Sequence, residues 1–376
     1  MPTYRSRRLT SLLLAIPGLA LAGCSDPVAV PPVRMSPLAS VAAAVPSVFP
    51  IGNVLGYGVN DAGTIVGPSD GNKSSAYLWD SSTGLVLIRT GGLAWDVSQD
   101  GLAVGGKSAA GKPVLWTATQ LGDQRTEVVL PDAEFGGAVR AMVSDASGHP
   151  VLMTGNVFRN GSTKTPARWT PCLQGPPCPT GWQLSTITVT APIVEAWGQD
   201  INPSGMVVGM EGTGCCRAAF WDANDNQTVL LPLNGGAAAA WGINDAGTLI
   251  TGQSDGVAVM WLRASTGDSF TTPMRLDTTT CRGGGTSIAY AVNPDFSAAN
   301  DGTTGTIVGQ ACGNPVAWKV SITSLLPTIT ATITRIALPS TGRSTAGQAQ
   351  SINRSNGGHY RIAGQVNGTG VYWTNF

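Results

Sequence analysis

Residues 241–261, WGINDAGTLITGQSDGVAVMW, contain the clearest copy of a pattern from which the fold can be predicted. An apolar segment leads into the tetrapeptide Asn244-Asp245-Ala246-Gly247, a second apolar segment ends near Gly252, and a third segment after a polar loop ends in Trp261. Asn-Asp-x-Gly between apolar segments supplies residues that tolerate positive φ, which is typical of a tight hairpin. The stretch therefore predicts two strands joined by a turn, followed by a third strand.

The same pattern occurs seven times along the chain. The turn positions are Asn60, Ser98, Ser144, Asn202, Asn244, Asn293 and Asn353. The matching tryptophans, which we expect to form the blade core, are Trp79, Trp116, Trp169, Trp221, Trp261, Trp318 and Trp373. Successive tryptophans lie 37 to 57 residues apart, a period that is typical of β-propeller blades and too long for one coil of a β-helix. Each buried indole should remove roughly 150–250 Å² of surface from water.

A glycine follows each second apolar segment, where it should end the strand or let another backbone come close. These glycines are Gly67, Gly105, Gly155, Gly209, Gly252, Gly309 and Gly364. A fourth strand, often ending in Leu-Pro, is predicted after the first six tryptophans. Its segments are 84–90, 126–132, 182–191, 227–233, 272–278 and 333–340.

Trp373 has no fourth strand after it, whereas SVFPIG (47–52), ahead of the first repeat, has the missing type of sequence. We expect this segment to pair with the last blade and close the ring, which protects a sheet edge. The sequence thus predicts an all-β fold, a single seven-bladed β-propeller of four-stranded blades over residues 47–376. Six or eight blades are the alternatives.

The repeat resembles a known bacterial family. YGVNDAGTIVG (57–67), GQDINPSGMVVG (198–209) and WGINDAGTLITG (241–252), each followed by a strand ending in Trp, are similar to the extracellular HAF repeat. The second and third copies depart from it with serine at the turn, and the sixth has a longer turn, NPDFSAANDGTTG (293–305). The resemblance implies a β-propeller and brings no catalytic residues.

Residues 1–23 have the composition of an export signal. Three arginines precede the apolar run SLLLAIPGLALA, which is too short for an ordinary membrane span. Leu21-Ala22-Gly23-Cys24 matches a bacterial lipoprotein box, so we expect diacylglycerol on the Cys24 thiol and anchoring to the membrane through that lipid. The alternative is an ordinary signal peptide that leaves Cys24 as a thiol. In a Gram-negative host, Ser25 would favour the outer membrane, with the side of the membrane left open.

Residues 24–46 are rich in Pro, Ala and Val and have no turn-strand pattern, which predicts an extended tether. A peptide ordered against the propeller is the alternative. The chain has 22 basic and 22 acidic residues, so its charge gives no reason to expect nucleic acid as a partner.

Six cysteines remain after Cys24, and disulfides are expected in an exported chain. Cys172 should pair with Cys178, and Cys281 with Cys312, which leaves Cys215 and Cys216 to form a vicinal bond or exchange partners. No CxxC pair occurs and the chain has two histidines, which disfavours zinc.

Catalytic and cofactor signatures are scarce. The glutamates are Glu127, Glu134, Glu195 and Glu211, and many aspartates lie in the repeated turns. His149 and His359 lie in or near such turns, and no G-x-S-x-G motif is present. The loops 222–228 and 297–305 lack the spacing of a calcium loop. No cofactor is expected.

The sequence thus favours a binding or scaffold module at the cell envelope, with an envelope protein or polysaccharide as partner. The alternative is a carbohydrate-active enzyme that uses aspartates in the central channel. Four long inserts, 170–181, 262–287, 295–304 and 319–332, are the predicted recognition surfaces.

Overall fold

A computed structural model describes residues 46–374, except 53, 70–73, 133–134, 160, 173–177, 179, 190–194, 213–215, 278–280, 282–284, 297–302, 325–328, 342–344 and 355–359. The expected signal segment, Cys24 and nearly all of the expected tether lie outside the described residues. Within the described part of the chain, no helix has the length and hydropathy that a membrane crossing requires.

The described residues form 28 strands. Strand β1 (Ser47–Gly52) comes first. Blade 1 has β2 (Gly58–Val59), β3 (Ile65–Pro68), β4 (Ser75–Asp80) and β5 (Gly84–Thr90). Blade 2 has β6 (Leu93–Val97), β7 (Ala103–Lys107), β8 (Pro113–Thr117) and β9 (Thr126–Val129). Blade 3 has β10 (Gly137–Ser144), β11 (Pro150–Arg159), β12 (Thr163–Pro171) and β13 (Trp182–Thr186).

The remaining blades follow in chain order. Blade 4 has β14 (Ala196–Ile201), β15 (Val207–Glu211), β16 (Arg217–Trp221) and β17 (Gln227–Val229). Blade 5 has β18 (Ala238–Ile243), β19 (Leu249–Ser254), β20 (Val257–Leu262) and β21 (Met274–Arg275). Blade 6 has β22 (Ser287–Val292), β23 (Thr304–Ala311), β24 (Asn314–Ser324) and β25 (Thr330–Ala337). Blade 7 has β26 (Gly347–Ile352), β27 (Ile362–Val366) and β28 (Thr369–Thr374).

Each blade is an antiparallel four-stranded sheet in chain order, and β1 supplies the fourth strand of blade 7. The pairing of β1 with β28 runs from Ser47 opposite Thr374 to Gly52 opposite Gly370. Strand β2 contacts β26, so blade 1 meets blade 7 and the ring is closed. The predicted seven-bladed β-propeller and its closure by residues 47–52 are confirmed, whereas six or eight blades are wrong.

Six of the seven expected core tryptophans have no exposed surface: Trp116, Trp169, Trp221, Trp261, Trp318 and Trp373. Several of their indoles donate to a carbonyl of the preceding blade. The indole nitrogens of Trp169, Trp261 and Trp373 lie 2.8 Å from the carbonyl oxygens of Pro131, Leu231 and Pro339 respectively. The segment after the fourth strand therefore covers the tryptophan of the next blade.

Trp79 differs from the expected full burial, because it is only half-buried. The outer strand before it in the ring is β1, which ends at Gly52 and has no Leu-Pro segment. Its indole packs instead against Tyr372, with the ring centroids 5.2 Å apart.

The turn asparagines have a different role from the expected one. Glycine supplies the positive φ of the turn, for example 65° at Gly247, and no turn asparagine is among the described non-glycine residues with positive φ. Asn60 instead accepts a bond from the Thr64 backbone at 2.8 Å and donates to the Ser98 carbonyl of the next blade at 3.0 Å. Asn244 is likewise buried and reaches the Phe296 carbonyl of blade 6 at 2.6 Å. The side chain of the turn asparagine thus links neighbouring blades by hydrogen bonds.

The two expected disulfides, Cys172–Cys178 and Cys281–Cys312, are present. Cys215 lies outside the described residues, so its pairing stays a prediction. One predicted insert differs from the structure, because most of 319–332 is strand, as β24 and β25 form a long hairpin.

Candidate functional site

A repeated β-bulge directs one side chain of each blade toward the propeller axis. In six blades, the pairing of the first, innermost strand with the second strand skips one residue. The skipped residue lies three or four positions before the turn position. Tyr57 occupies the same place in blade 1, where its amide donates to the carbonyl of Val66. A bulge re-aims the side chain at its position. We call the resulting set the axial ring: Tyr57, Trp95, Arg140, Gln199, Trp241, Tyr290 and Gln350.

A glycine within each second strand is required by this bulge. A Cβ on Gly252 would lie 2.1 Å from the carbonyl oxygen of Ala239, in the strand that bulges toward it. The expectation of close backbone approach is therefore correct, while the alternative that the glycine ends the strand is wrong, since β19 continues to Ser254. In blade 2 the glycine opposite the residue just before the bulge is Gly106, rather than the predicted Gly105.

The axial ring combines aromatic, cationic and amide groups. The Arg140 guanidinium lies 4.2 Å from the Trp95 ring centroid, in cation–π geometry. Burial lowers the pKa of Arg140 to about 10, and its Nε has no hydrogen-bond partner among the described residues. Trp241 packs edge-on against Tyr290 with centroids 5.7 Å apart, and the Tyr290 hydroxyl donates to Gln348 at 3.1 Å. Burial also raises the pKa of Tyr290 to about 12.

One end of the channel opens on the turn face, the face that carries the turns between first and second strands. This turn-face mouth is a cavity of about 710 Å³. Carboxylates dominate its charged lining: Asp61, Asp96, Asp100, Asp145, Asp200 and Asp245. Arg354 lies among them, with its guanidinium 2.5 Å from Asp245 and its amide 2.9 Å from Asp61. Burial raises the pKa values of Asp61 and Asp245, against the opposing effect of Arg354.

Asp96 and Asp200 follow directly after bulged residues, and each carboxylate accepts a hydrogen bond from the next blade. Asp96 accepts from the Met142 amide at 2.7 Å, and Asp200 accepts from the Ile243 amide at 2.9 Å. Burial raises the pKa of Asp96 to about 7 and that of Asp200 to about 6. Each carboxylate therefore combines a structural bond with a proton affinity that is unusual for aspartate.

These pKa values predict that the protein loses stability as the pH rises from about 4 to about 7. The folded state holds protons on Asp96 and Asp200 that the unfolded state releases near the ordinary aspartate pKa of 3.8, so stability falls until both groups ionise. The melting temperature of wild type should drop more between pH 5 and pH 8 than that of an Asp96→Asn/Asp200→Asn variant. Equal slopes in the two proteins would contradict the assignment.

The other end of the channel forms a second cavity of about 810 Å³, which we call the rear vestibule. It opens on the opposite, rear face, where second and third strands are joined. Its walls are largely apolar or aromatic and include Leu93, Ala138, Phe158, Trp197 and Met210. The charged side chains among its described lining residues are Lys107, Arg140 and Lys164, all cationic. Both cavities share Trp95, Arg140, Gln199 and Trp241, so the axial ring separates them.

The residues considered for catalysis do not form a triad in the described part of the chain. His149 Nδ1 lies 2.6 Å from Asp100, and the Ser98 hydroxyl donates to the same carboxylate. A triad needs histidine between serine and aspartate, whereas here the aspartate is central. His359 and Glu134 lie outside the described residues.

No group of three or more metal-ligating side chains occurs among the described residues. In the loop 222–228, Asp222 Oδ1 accepts hydrogen bonds from the backbone amides of Asn224 and Asn226, each with an N–O distance of 2.8 Å. The carboxylate therefore closes a turn. Most of the other loop considered for calcium, 297–305, lies outside the description.

The sequence pattern alone does not reveal the axial ring. The sequence signal for this ring is a large side chain three or four positions before the turn position of each repeat. The seven repeats have Tyr, Trp, Arg or Gln there. From the sequence, Trp241 is expected only as part of an apolar strand, because alternation along a strand does not reveal a bulge.

No protein-family model matches the chain. No curated protein matches it either. Solved structures with similarity include the Cps50 (Swd1) β-propeller domain of Myceliophteria thermophila, at 12% identity and a TM-score of 0.49, covering 88% of this chain and 99% of that one. Sqt1 of Saccharomyces cerevisiae is 9% identical with a TM-score of 0.48, covering 86% and 83% of the two chains. TolB from Acinetobacter baumannii is 13% identical with a TM-score of 0.41, covering 73% and 63%. At such identities a likeness concerns the fold alone.

Proposed function

We propose that this seven-bladed propeller is an exported, lipid-anchored module that binds an envelope polysaccharide at its turn-face mouth. A propeller of this kind is in general a binding or scaffold fold. The observation that carries the ligand class is the axial ring, whose aromatic faces and amide groups line a mouth rich in hydrogen-bond acceptors. Sugar rings pair apolar faces with hydroxyl donors, and such a lining can satisfy both.

The loops at this face support the same assignment. Residues 172 and 263–273 lie between third and fourth strands, and residues 295–296 lie in the turn after the first strand of blade 6. These positions belong to three of the predicted long inserts and lie at the turn face. Loops held on a rigid scaffold are suited to recognition.

A binding experiment tests the proposed ligand. The purified full-length protein should bind selected members of an array of envelope and extracellular polysaccharides. Tyr290→Ala should weaken that binding about tenfold, because Tyr290 lines only the turn-face mouth and an aromatic contact is worth about 1 kcal/mol or more beyond its buried area. Phe158→Ala, in the rear vestibule, is the matched control and should bind as wild type does. Absence of binding to every glycan would instead favour an envelope protein as partner.

The export and anchoring rest on the lipoprotein box at Cys24 and are supported by the two disulfides, which are typical of oxidising compartments. Expressed in a Gram-negative host, the protein should incorporate a labelled fatty acid and sediment with membranes. Cys24→Ser should remove the label and release the protein. Labelling that survives this substitution would show that Cys24 is not the anchor.

A second candidate function is carbohydrate cleavage by channel aspartates. The raised pKa values of Asp96 and Asp200 favour it, because a general acid must hold its proton near neutral pH. Their bonds to the next blade count against it, since these oxygens are already occupied. Glycan cleavage by wild type that disappears in both Asp96→Asn and Asp200→Asn would establish the enzyme. Glycan binding without release of a cleaved product would support the binding module instead.

A further inference from the structure

We propose that the rear vestibule is a separate binding site for a small carboxylic acid with an apolar body, whose carboxylate bonds to Arg140. This site goes beyond the proposed polysaccharide site, because it opens on the opposite face and has different chemistry.

The first observation is the state of Arg140. This half-buried cation forms no ion pair within 4.0 Å among the described residues, and its Nε has no hydrogen-bond partner there. Its guanidinium instead lies over the face of Trp95, 4.2 Å from the ring centroid. A cation removed from water without a hydrogen-bonded anion is costly. An anionic ligand would supply the missing acceptor in bidentate geometry.

The second observation is the difference in charge between the two ends of the channel. The turn-face mouth is lined by six carboxylates and two arginines. The lining of the rear vestibule has three cations, Lys107, Arg140 and Lys164, and no carboxylate among its described residues. Glu195 pairs with Lys164 from outside that lining, at 3.8 Å. Clefts of one sign of charge raise the local concentration of the opposite ion, so an anion should reach Arg140 from the rear face.

The third observation is the composition of the vestibule wall. The lining also includes Leu93, Phe158, Met210 and the alanine segment 237–239. Trp197 adds an aromatic face on which Lys164 rests, 4.7 Å from the ring centroid. A cavity of about 810 Å³ is in the range of small-ligand sites. Such a wall favours a hydrocarbon body over a sugar, because it offers few hydrogen-bonding groups.

Dodecanoate, below its micelle concentration, is a suitable probe for calorimetry with the purified full-length protein. Acetate carries the charge without the chain, and dodecanol carries the chain without the charge. We expect dodecanoate to bind at least tenfold more tightly than either. Arg140→Met should weaken dodecanoate binding about thirtyfold, since a hydrogen bond to a charged group is lost, and leave dodecanol binding unchanged.

Arg354→Met is the matched control, because it removes an arginine from the turn-face mouth only, and it should bind dodecanoate as wild type does. Equal affinity for dodecanoate and dodecanol, or equal losses in the two arginine variants, would overturn the proposal. If Arg140→Met fails to fold, Lys164→Met on the more exposed wall decides, with about a threefold loss expected from one fewer nearby cation. No loss in that variant would also overturn it. If the protein binds polysaccharide but does not bind dodecanoate, this proposal fails while the proposed function stands.

Discussion

Deletion of residues 47–52 is expected to destabilise the propeller more than any single substitution. The deletion removes β1 and with it five paired positions along β28, as well as the buried Ile51. At about 1 kcal/mol for each lost hydrogen bond, the cost is roughly 5 kcal/mol, which is comparable to the whole stability of many domains. The exposed edge of β28 should also promote aggregation.

Thermal unfolding and light scattering of the full-length protein with this internal deletion would test the expectation. The matched control is Phe49→Thr, which keeps the strand and changes a side chain that is 42% exposed. We expect the control to lose about 1 kcal/mol or less. A deletion variant that melts cooperatively within a few degrees of wild type would show that blade 7 is stable with three strands.

Trp221→Ala is expected to cost about 3–5 kcal/mol, the range for removing a large aromatic side chain from a packed core. The indole has no exposed surface and packs with Ile187, Ile201 and Val207 between blades 3 and 4. The cavity left behind lies between two sheets that the closed ring holds in place, so it cannot collapse freely. Denaturant unfolding would measure the loss.

Trp79→Ala provides the comparison within the same repeat position. Because Trp79 is half-buried, we expect its loss to cost about 2 kcal/mol, less than half the upper value for Trp221. Equal losses in the two variants would mean that burial does not determine the contribution of the repeated tryptophan.

The repeat positions differ in function because their side chains differ in direction. The turn asparagine, the glycine opposite the bulge and the tryptophan all serve contacts within or between blades. The bulged residue is the one that faces the axis, and it varies from Tyr to Arg to Gln around the ring. This variation gives the channel an asymmetric wall, with Arg140 and Trp95 on one side and Trp241 and Tyr290 on another.

The number of blades, the closing strand and the two disulfides can be predicted from the sequence alone. These features depend on patterns that are local or that repeat, namely the hairpin turns, the terminal Trp and the strand-like segment 47–52 ahead of the first repeat. Each copy of such a pattern reinforces the others, so the period was visible although Ser98 and Ser144 replace asparagine.

The surroundings of the channel, in contrast, depend on how the blades assemble. The bulge before each turn breaks the alternation of strand residues, and the axial ring joins residues up to 293 positions apart, from Tyr57 to Gln350. The bonds from Asn60 and Asp96 to the next blade, and the contrast between an acidic mouth and a cationic vestibule, likewise arise when seven blades meet. Local sequence specifies each blade, whereas the environment of the axial side chains is set by closure of the ring.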